Sequence, residues 1–157
     1  MRRVERTIKI NELKICLCGF MGSGKTTVAK EVSRMTGLPF ADTDQMIVQA
    51  AGKTIPEIFA TLGEERFREL EYEAILELMD EKRFIASLGG GAVLFPRNVK
   101  AIKSAGGVIV WIDVPLDVIN RRLQGDSGRP LLDKDLDKRR ALYLDRIPHY
   151  QAACDLR

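Results

Sequence analysis

The residues Gly19-Phe20-Met21-Gly22-Ser23-Gly24-Lys25-Thr26 satisfy the pattern G-x-x-x-x-G-K-[ST], whose chemistry is the grip on a polyphosphate. Glycines let successive backbone N–H groups turn toward one point, and a helix starting at the end of the loop adds partial positive charge there. Gly22, Ser23, Gly24, Lys25, Thr26 and Thr27 are therefore the candidate contacts to a nucleoside triphosphate. Lys25 would reach the terminal phosphates, and the Thr26 hydroxyl would face Mg²⁺. A glycine-rich turn could match the pattern by chance. The flanks argue otherwise: Leu13–Cys18 is short and β-prone, and Thr27–Val32 reads as helix with Gly37 as its stop.

Moving a phosphoryl group needs more than a cradle: a divalent ion, cations that meet the developing charge, and a positioned nucleophile. Asp42 and Asp44 close a short strand at Leu38–Ala41, and Asp113 ends a later apolar run. Either Asp42 or Asp113 could support the metal. Asp42 is favoured, acting through water because Mg²⁺ sheds its hydration reluctantly, since Pro115 gives Asp113 a ready turn or capping role. Arg68 and Glu71 stand three apart on a helix, where side chains are neighbours. Gly89-Gly90-Gly91 follows another strand, where backbone must bend or approach a ligand closely.

The elements that must carry these groups alternate. Strands are expected at Leu13–Cys18, Leu38–Ala41, Phe84–Leu88 and Val108–Asp113, with helices at Gln45–Ala51, Thr54–Leu62, Glu64 to about Lys82, Pro96 to about Ser104, Leu116–Leu123, and from about Asp135 to Arg146, where Pro148 bends or ends the last. Alternation of this kind predicts an α/β fold, a parallel sheet between two helical layers. In such a sheet ligands collect beyond the C-terminal strand ends, where the phosphate loop, the acidic pair and the triple glycine all fall. The polar run from Gln124 to Asp133 predicts a mobile lid.

Composition narrows the partner. A chain of 157 residues with 45% hydrophobic content can bury one substantial core, and a net charge of +3 is too slight to argue for nucleic acid. A small anionic metabolite fits better. No apolar run is long enough to cross a bilayer, so the cytoplasm is the expected location and monomer the default state. Cys16, Cys18 and Cys154 are expected as free thiols, with Cys16 and Cys18 on opposite faces of their strand. Residues 1–12 have no clear periodicity and form an N-terminal arm to a unit spanning 13–157.

From Leu13 to Tyr150 the chain resembles the shikimate kinases. The segments that carry the likeness are the loop at 19–27, Asp-Thr-Asp at 42–44, Gly-Glu-Glu-Arg-Phe-Arg-Glu-Leu-Glu at 63–71, Ser-Leu-Gly-Gly-Gly at 87–91, Arg-Pro-Leu-Leu at 129–132 and Arg-Ile-Pro-His-Tyr at 146–150. The resemblance implies a nucleoside monophosphate kinase-like P-loop fold with a five-stranded parallel sheet, a lid at about 122–134 and a substrate-binding helical region at about 43–82. It implies transfer of the γ-phosphoryl of ATP, with Mg²⁺, to the 3-hydroxyl of shikimate. By the same resemblance Lys25, Asp44 and Arg129 are catalytic. Asp44 would orient or deprotonate the attacking hydroxyl, and Arg68 and Arg146 would hold the substrate's carboxylate in a bidentate grip. Gly90 and Gly91 would offer N–H groups, Gly89 the bend, Glu71 an anchor for Arg68, and Phe59 and Phe67 a wall. Arg129 would close over the phosphates, and Arg122 would lie against adenine.

The family continues into a last strand, an adenine-contacting loop and a final helix, of which only Ala153–Arg157 could begin the strand here. Two rivals remain: a kinase for another hydroxy acid, such as gluconate, and a catalytically silent ATP-binding module. Asp44, Arg68, the triple glycine and Arg146 together disfavour the first, and intact Lys25, Thr26, Asp42 and Asp44 the second.

Overall fold

The computed structural model describes residues 10–124 and 133–157. Four strands form one parallel sheet: β1 (Lys14–Cys18), β2 (Phe40–Asp42), β3 (Phe84–Ser87) and β4 (Val108–Trp111), in the order β2-β3-β1-β4. Among the described residues six α-helices accompany them: α1 (Lys25–Thr36), α2 (Thr43–Ala51), α3 (Ile55–Asp80), α4 (Pro96–Ser104), α5 (Leu116–Gln124) and α6 (Asp133–Ala153). Where the resemblance implies a fifth strand, Leu156 makes an isolated parallel bridge to Val110, and the Trp111 N–H donates to its carbonyl at 2.8 Å.

The strand period of two sorts the core into layers. Cys16, Cys18, Ala86, Ile109 and Trp111 enter one cluster with α3, α4, α5 and α6, whereas Leu17, Ile85 and Val110 pack with Ala29 and Val32 of α1 on the other side. A sheet covered on both faces needs near-continuous apolar strands, and these sequences supply them. Cys16 and Cys18 therefore share a face, contrary to expectation, because residues two apart on a strand always do. Both are buried free thiols, and burial pushes each thiol up to about 12.

A third cluster, Ile47, Ile58, Phe67, Leu70 and Ala74, holds α2 against α3 beside the sheet. Thr54 opens α3 with a reciprocal capping box to Glu57. Gly63, at φ 82° and ψ 168°, kinks it between the two helical stretches read from the sequence. Helix α6 departs from expectation by running through Pro148 to Ala153. An interior proline costs roughly 3 kcal/mol. Burial of Tyr150 and Ala153 in the main cluster, just past it, offsets that cost.

Candidate active site

The phosphate loop is built as its sequence requires. Gly24 stands at the N-cap of α1 with φ 92°, a left-handed conformation, and no side chain caps that helix. The first N–H groups of α1 have no intrahelical acceptor, and the buried Ser23 hydroxyl has no partner among the described residues. This is an anion cradle with its donors unspent, and it fits the phosphates of a nucleoside triphosphate. Lys25 Nζ donates to the loop's own carbonyls, Gly19 at 2.9 Å and Phe20 at 3.2 Å. Burial drives its amine below the ordinary lysine range, opposed chiefly by the charge of Asp44 and reinforced by that of Arg146. Arg122 reaches the loop from α5, donating to the carbonyls of Gly22 and Ser23 at 3.3 and 3.1 Å. Thr27 is exposed on α1.

Beside the loop three side-chain oxygens converge. Thr26 Oγ1 donates to Asp42 Oδ2 at 3.3 Å and lies 3.1 Å from Ser87 Oγ. Asp42 ends β2 and also N-caps α2, its Oδ1 accepting from the Asp44 and Gln45 N–H groups. An all-oxygen donor set with one carboxylate suits a hard divalent cation such as Mg²⁺. Asp113, the alternative, instead accepts from Arg157 Nε at 2.6 Å.

The triple glycine joins the remaining parts by the space it leaves. A Cβ on Gly89 would lie 2.9 Å from Asp44 Oδ1 and 3.1 Å from Glu71 Oε2. One on Gly90 would lie 3.2 Å from Arg146 Nη1, and one on Gly91 3.2 Å from Arg68 Nη1. None of the three has positive φ, so close approach rather than a bend explains them. The Gly89 N–H is taken by Thr43 Oγ1 at 3.0 Å, while those of Gly90 and Gly91 make no hydrogen bond among the described residues. Phosphate loop and triple glycine are contiguous, with the Gly19 carbonyl 3.8 Å from the position of a Gly90 Cβ.

Each charged group is held. Arg68, 18% exposed, donates to Glu71 at 3.1 Å and to Glu64 at 3.3 Å, and its guanidinium lies over the rings of both Phe67 and Phe95, 5.1 and 4.8 Å from their centroids. Arg146 lies over the Phe20 ring at 5.7 Å. The buried Nε atoms of Arg68 and Arg146 both lack a partner among the described residues. Two cations with unspent donors beside free backbone N–H groups are chemically suited to hold an anion. Burial raises the carboxyls of Glu71 and Asp44 above their ordinary ranges. Arg68 opposes this for Glu71, and the charge of Asp42 adds to it for Asp44.

The structure thus brings together Lys25, Thr26, Asp42, Asp44, Arg68, Glu71, Gly89, Gly90, Gly91 and Arg146. Phe67 is buried between α2 and α3 with its ring 4.7 Å from that of the exposed Phe59. Arg129 lies outside the described residues, as do 125–132 of the lid and most of the 1–12 arm. Sequence reasoning gave no role to Thr43, Ser87, Phe95 or Tyr150. The polar strand ends at 43 and 87 and the four-residue step from Arg146 to Tyr150 were the available signals.

Comparison with known proteins agrees with this geometry. The family model described as shikimate kinase matches residues 21–157. The shikimate kinase of Synechococcus elongatus is 39% identical over 150 residues, covering 94% of this chain and 77% of its own. That of Geobacter sulfurreducens is 48% identical over 118 residues, 75% of this chain and 65% of its own. Among solved structures, the shikimate kinase from Acinetobacter baumannii in complex with shikimate superimposes with a TM-score of 0.83 at 33% identity, covering 94% of this chain and 83% of that one. A gluconokinase from Sinorhizobium meliloti, at 17% identity and TM-score 0.53, shares the fold alone. Sequence likeness over nearly the whole chain and likeness of structure converge, and the chain belongs to the shikimate kinase family of ATP-dependent kinases.

Proposed function

We propose that the enzyme passes the γ-phosphoryl of ATP to the 3-hydroxyl of shikimate, giving shikimate 3-phosphate and ADP. The observation that carries this reading is the pair of arginines, Arg68 and Arg146, whose Nη atoms face Gly91 and Gly90 and whose buried Nε donors are unspent, next to Asp44 and the phosphate loop. A carboxylate held between those guanidiniums leaves the ring hydroxyls facing Asp44. Asp44 orients the attacking hydroxyl and accepts its proton, a role supported by a carboxyl that burial and Asp42 make a stronger base than an ordinary aspartate. Lys25 leaves the loop carbonyls to meet charge on the moving phosphoryl. Thr26 and Asp42 would hold Mg²⁺, Asp42 through water, with Ser87 beside them, and the bound ion would supply positive charge to the phosphates. Arg129 closes over the phosphates, Arg122 moves toward adenine, and Phe59 and Phe67 wall the ring.

In this reading residues 13–157 act as one unit, with a substrate-binding region at 43–82 and a lid at 122–134, as a monomer in the cytoplasm. Free thiols at Cys16, Cys18 and Cys154 support that compartment. No described helix is long and apolar enough to cross a membrane. The test is ADP release with Mg²⁺, ATP and a panel of hydroxy acids. Release with shikimate alone is expected. Release with gluconate in its place, or ATP binding with no release at all, would refute the reading.

A further inference from the structure

Tyr150 has no part in the chemistry described above, yet it hydrogen-bonds the triple glycine directly. Its hydroxyl donates to the Gly90 carbonyl at 2.7 Å, and the residue is 1% exposed. Its ring packs against Trp111 with centroids 5.9 Å apart. Burial raises the phenol to about 12, so it remains a proton donor at neutral pH. Tyr150 follows Arg146 by four residues on α6, one helical turn, and both address Gly90: Arg146 faces its α-carbon and Tyr150 holds its carbonyl.

The Gly90 carbonyl and the Gly91 N–H belong to the same peptide unit. A trans peptide is planar, with C=O and N–H pointing in opposite directions, so fixing one fixes the other. The unit is the central peptide of a turn closed by the Ala92 N–H to the Gly89 carbonyl at 3.0 Å; that bond leaves its own C=O and N–H unpaired by any ladder, and glycine on both sides lets it rotate more freely than other residues would. The Gly91 N–H has no hydrogen bond among the described residues, and Gly91 is the glycine that faces the Arg68 guanidinium. A hydrogen bond accepted by the carbonyl also polarises the peptide and strengthens its N–H as a donor.

We propose that Tyr150 is a positioning residue for the acceptor substrate: by holding the Gly90 carbonyl it locks the Gly90–Gly91 peptide with its N–H turned toward the substrate's oxygens. This rests on the reading that the acceptor lies between Arg68, Arg146 and the triple glycine. Through the shared helix, the arginine and the peptide donor are delivered as one rigid unit, so α6 sets both halves of the acceptor grip.

The test compares Tyr150→Phe, which keeps the ring and removes only the hydroxyl, with Trp111→Phe, which loosens the same cluster without touching the Gly90 carbonyl. Tyr150→Phe should raise KM for shikimate roughly three- to tenfold while kcat and KM for ATP stay within about twofold, the loss of one net hydrogen bond. Trp111→Phe should lower Tm at least as much and leave KM for shikimate nearly unchanged. In isotope-labelled protein the Gly91 amide resonance should respond to shikimate in the parent and lose most of that response in Tyr150→Phe. An unchanged KM in Tyr150→Phe, or an equal rise in Trp111→Phe, would overturn the proposal while the parent remains active. A parent that binds ATP but releases no ADP with shikimate would instead fail the underlying reading, and the proposal with it.

Discussion

Gly91→Ala isolates the clearance that the triple glycine provides. Gly91 has φ −105° and ψ 2°, angles open to alanine, so the substitution introduces no backbone strain. The added methyl would instead sit 3.2 Å from Arg68 Nη1, 3.3 Å from Nη2 and 3.6 Å from Cζ, tighter than ordinary contact by a few tenths of an ångström. The guanidinium has little room to retreat, being paired to Glu71 and Glu64 and set over the rings of Phe67 and Phe95. A charge-assisted hydrogen bond is worth about 1.5 to 3 kcal/mol. Losing roughly half of one to misalignment, at 1.4 kcal/mol per tenfold, raises KM for shikimate about three- to tenfold. Stability should move the other way or not at all, because alanine at a compatible position reduces the unfolded chain's freedom by about 0.4 to 1 kcal/mol. The assay is steady-state ADP release with each substrate varied in turn, beside a thermal melt. Equal rises in KM for ATP and shikimate, or a lowered Tm accounting for the lost activity, would refute the reasoning.

Two further outcomes follow from the electrostatics. Lys25→Met should lower kcat by on the order of a hundredfold or more, with shikimate binding by calorimetry little altered, because the amine meets charge that develops only in the transition state. Glu71 is 1% exposed, and burial outweighs Arg68 in raising its carboxyl above the ordinary range. The folded state therefore takes up that proton more readily than the unfolded chain. The stability tied to this group is fully present below the unfolded value and is lost as pH rises through the folded one. Glu71→Gln should flatten the fall of Tm with pH above the ordinary glutamate range, and raise KM for shikimate because Arg68 loses a charged partner. A profile of unaltered slope would count against a buried, titrating Glu71.

Much of this was set by local sequence. The phosphate loop depends on glycine at positive φ and on a helix start at Lys25, both strictly local, and the alternation of apolar runs with caps and glycine stops fixed the α/β order. Packing decided the rest. Pro148 should end a helix by its own chemistry, but the cluster that buries Tyr150 and Ala153 carries α6 past it. Pro115 after Asp113 tilts the choice of strand-end aspartate toward Asp42 in sequence, and the neighbours decide it: one meets Thr26 and Ser87, the other Arg157. Local sequence marks Gly89–Gly91 as special but gives bending as readily as clearance for the reason. The reason lies in side chains 18 to 57 residues away, Asp44, Glu71, Arg68 and Arg146, that converge there only because the parallel sheet gathers its C-terminal ends along one rim. Propensity and motif act over a few residues and can be read in order along the chain, whereas which groups meet across the crevice is settled by close packing in three dimensions.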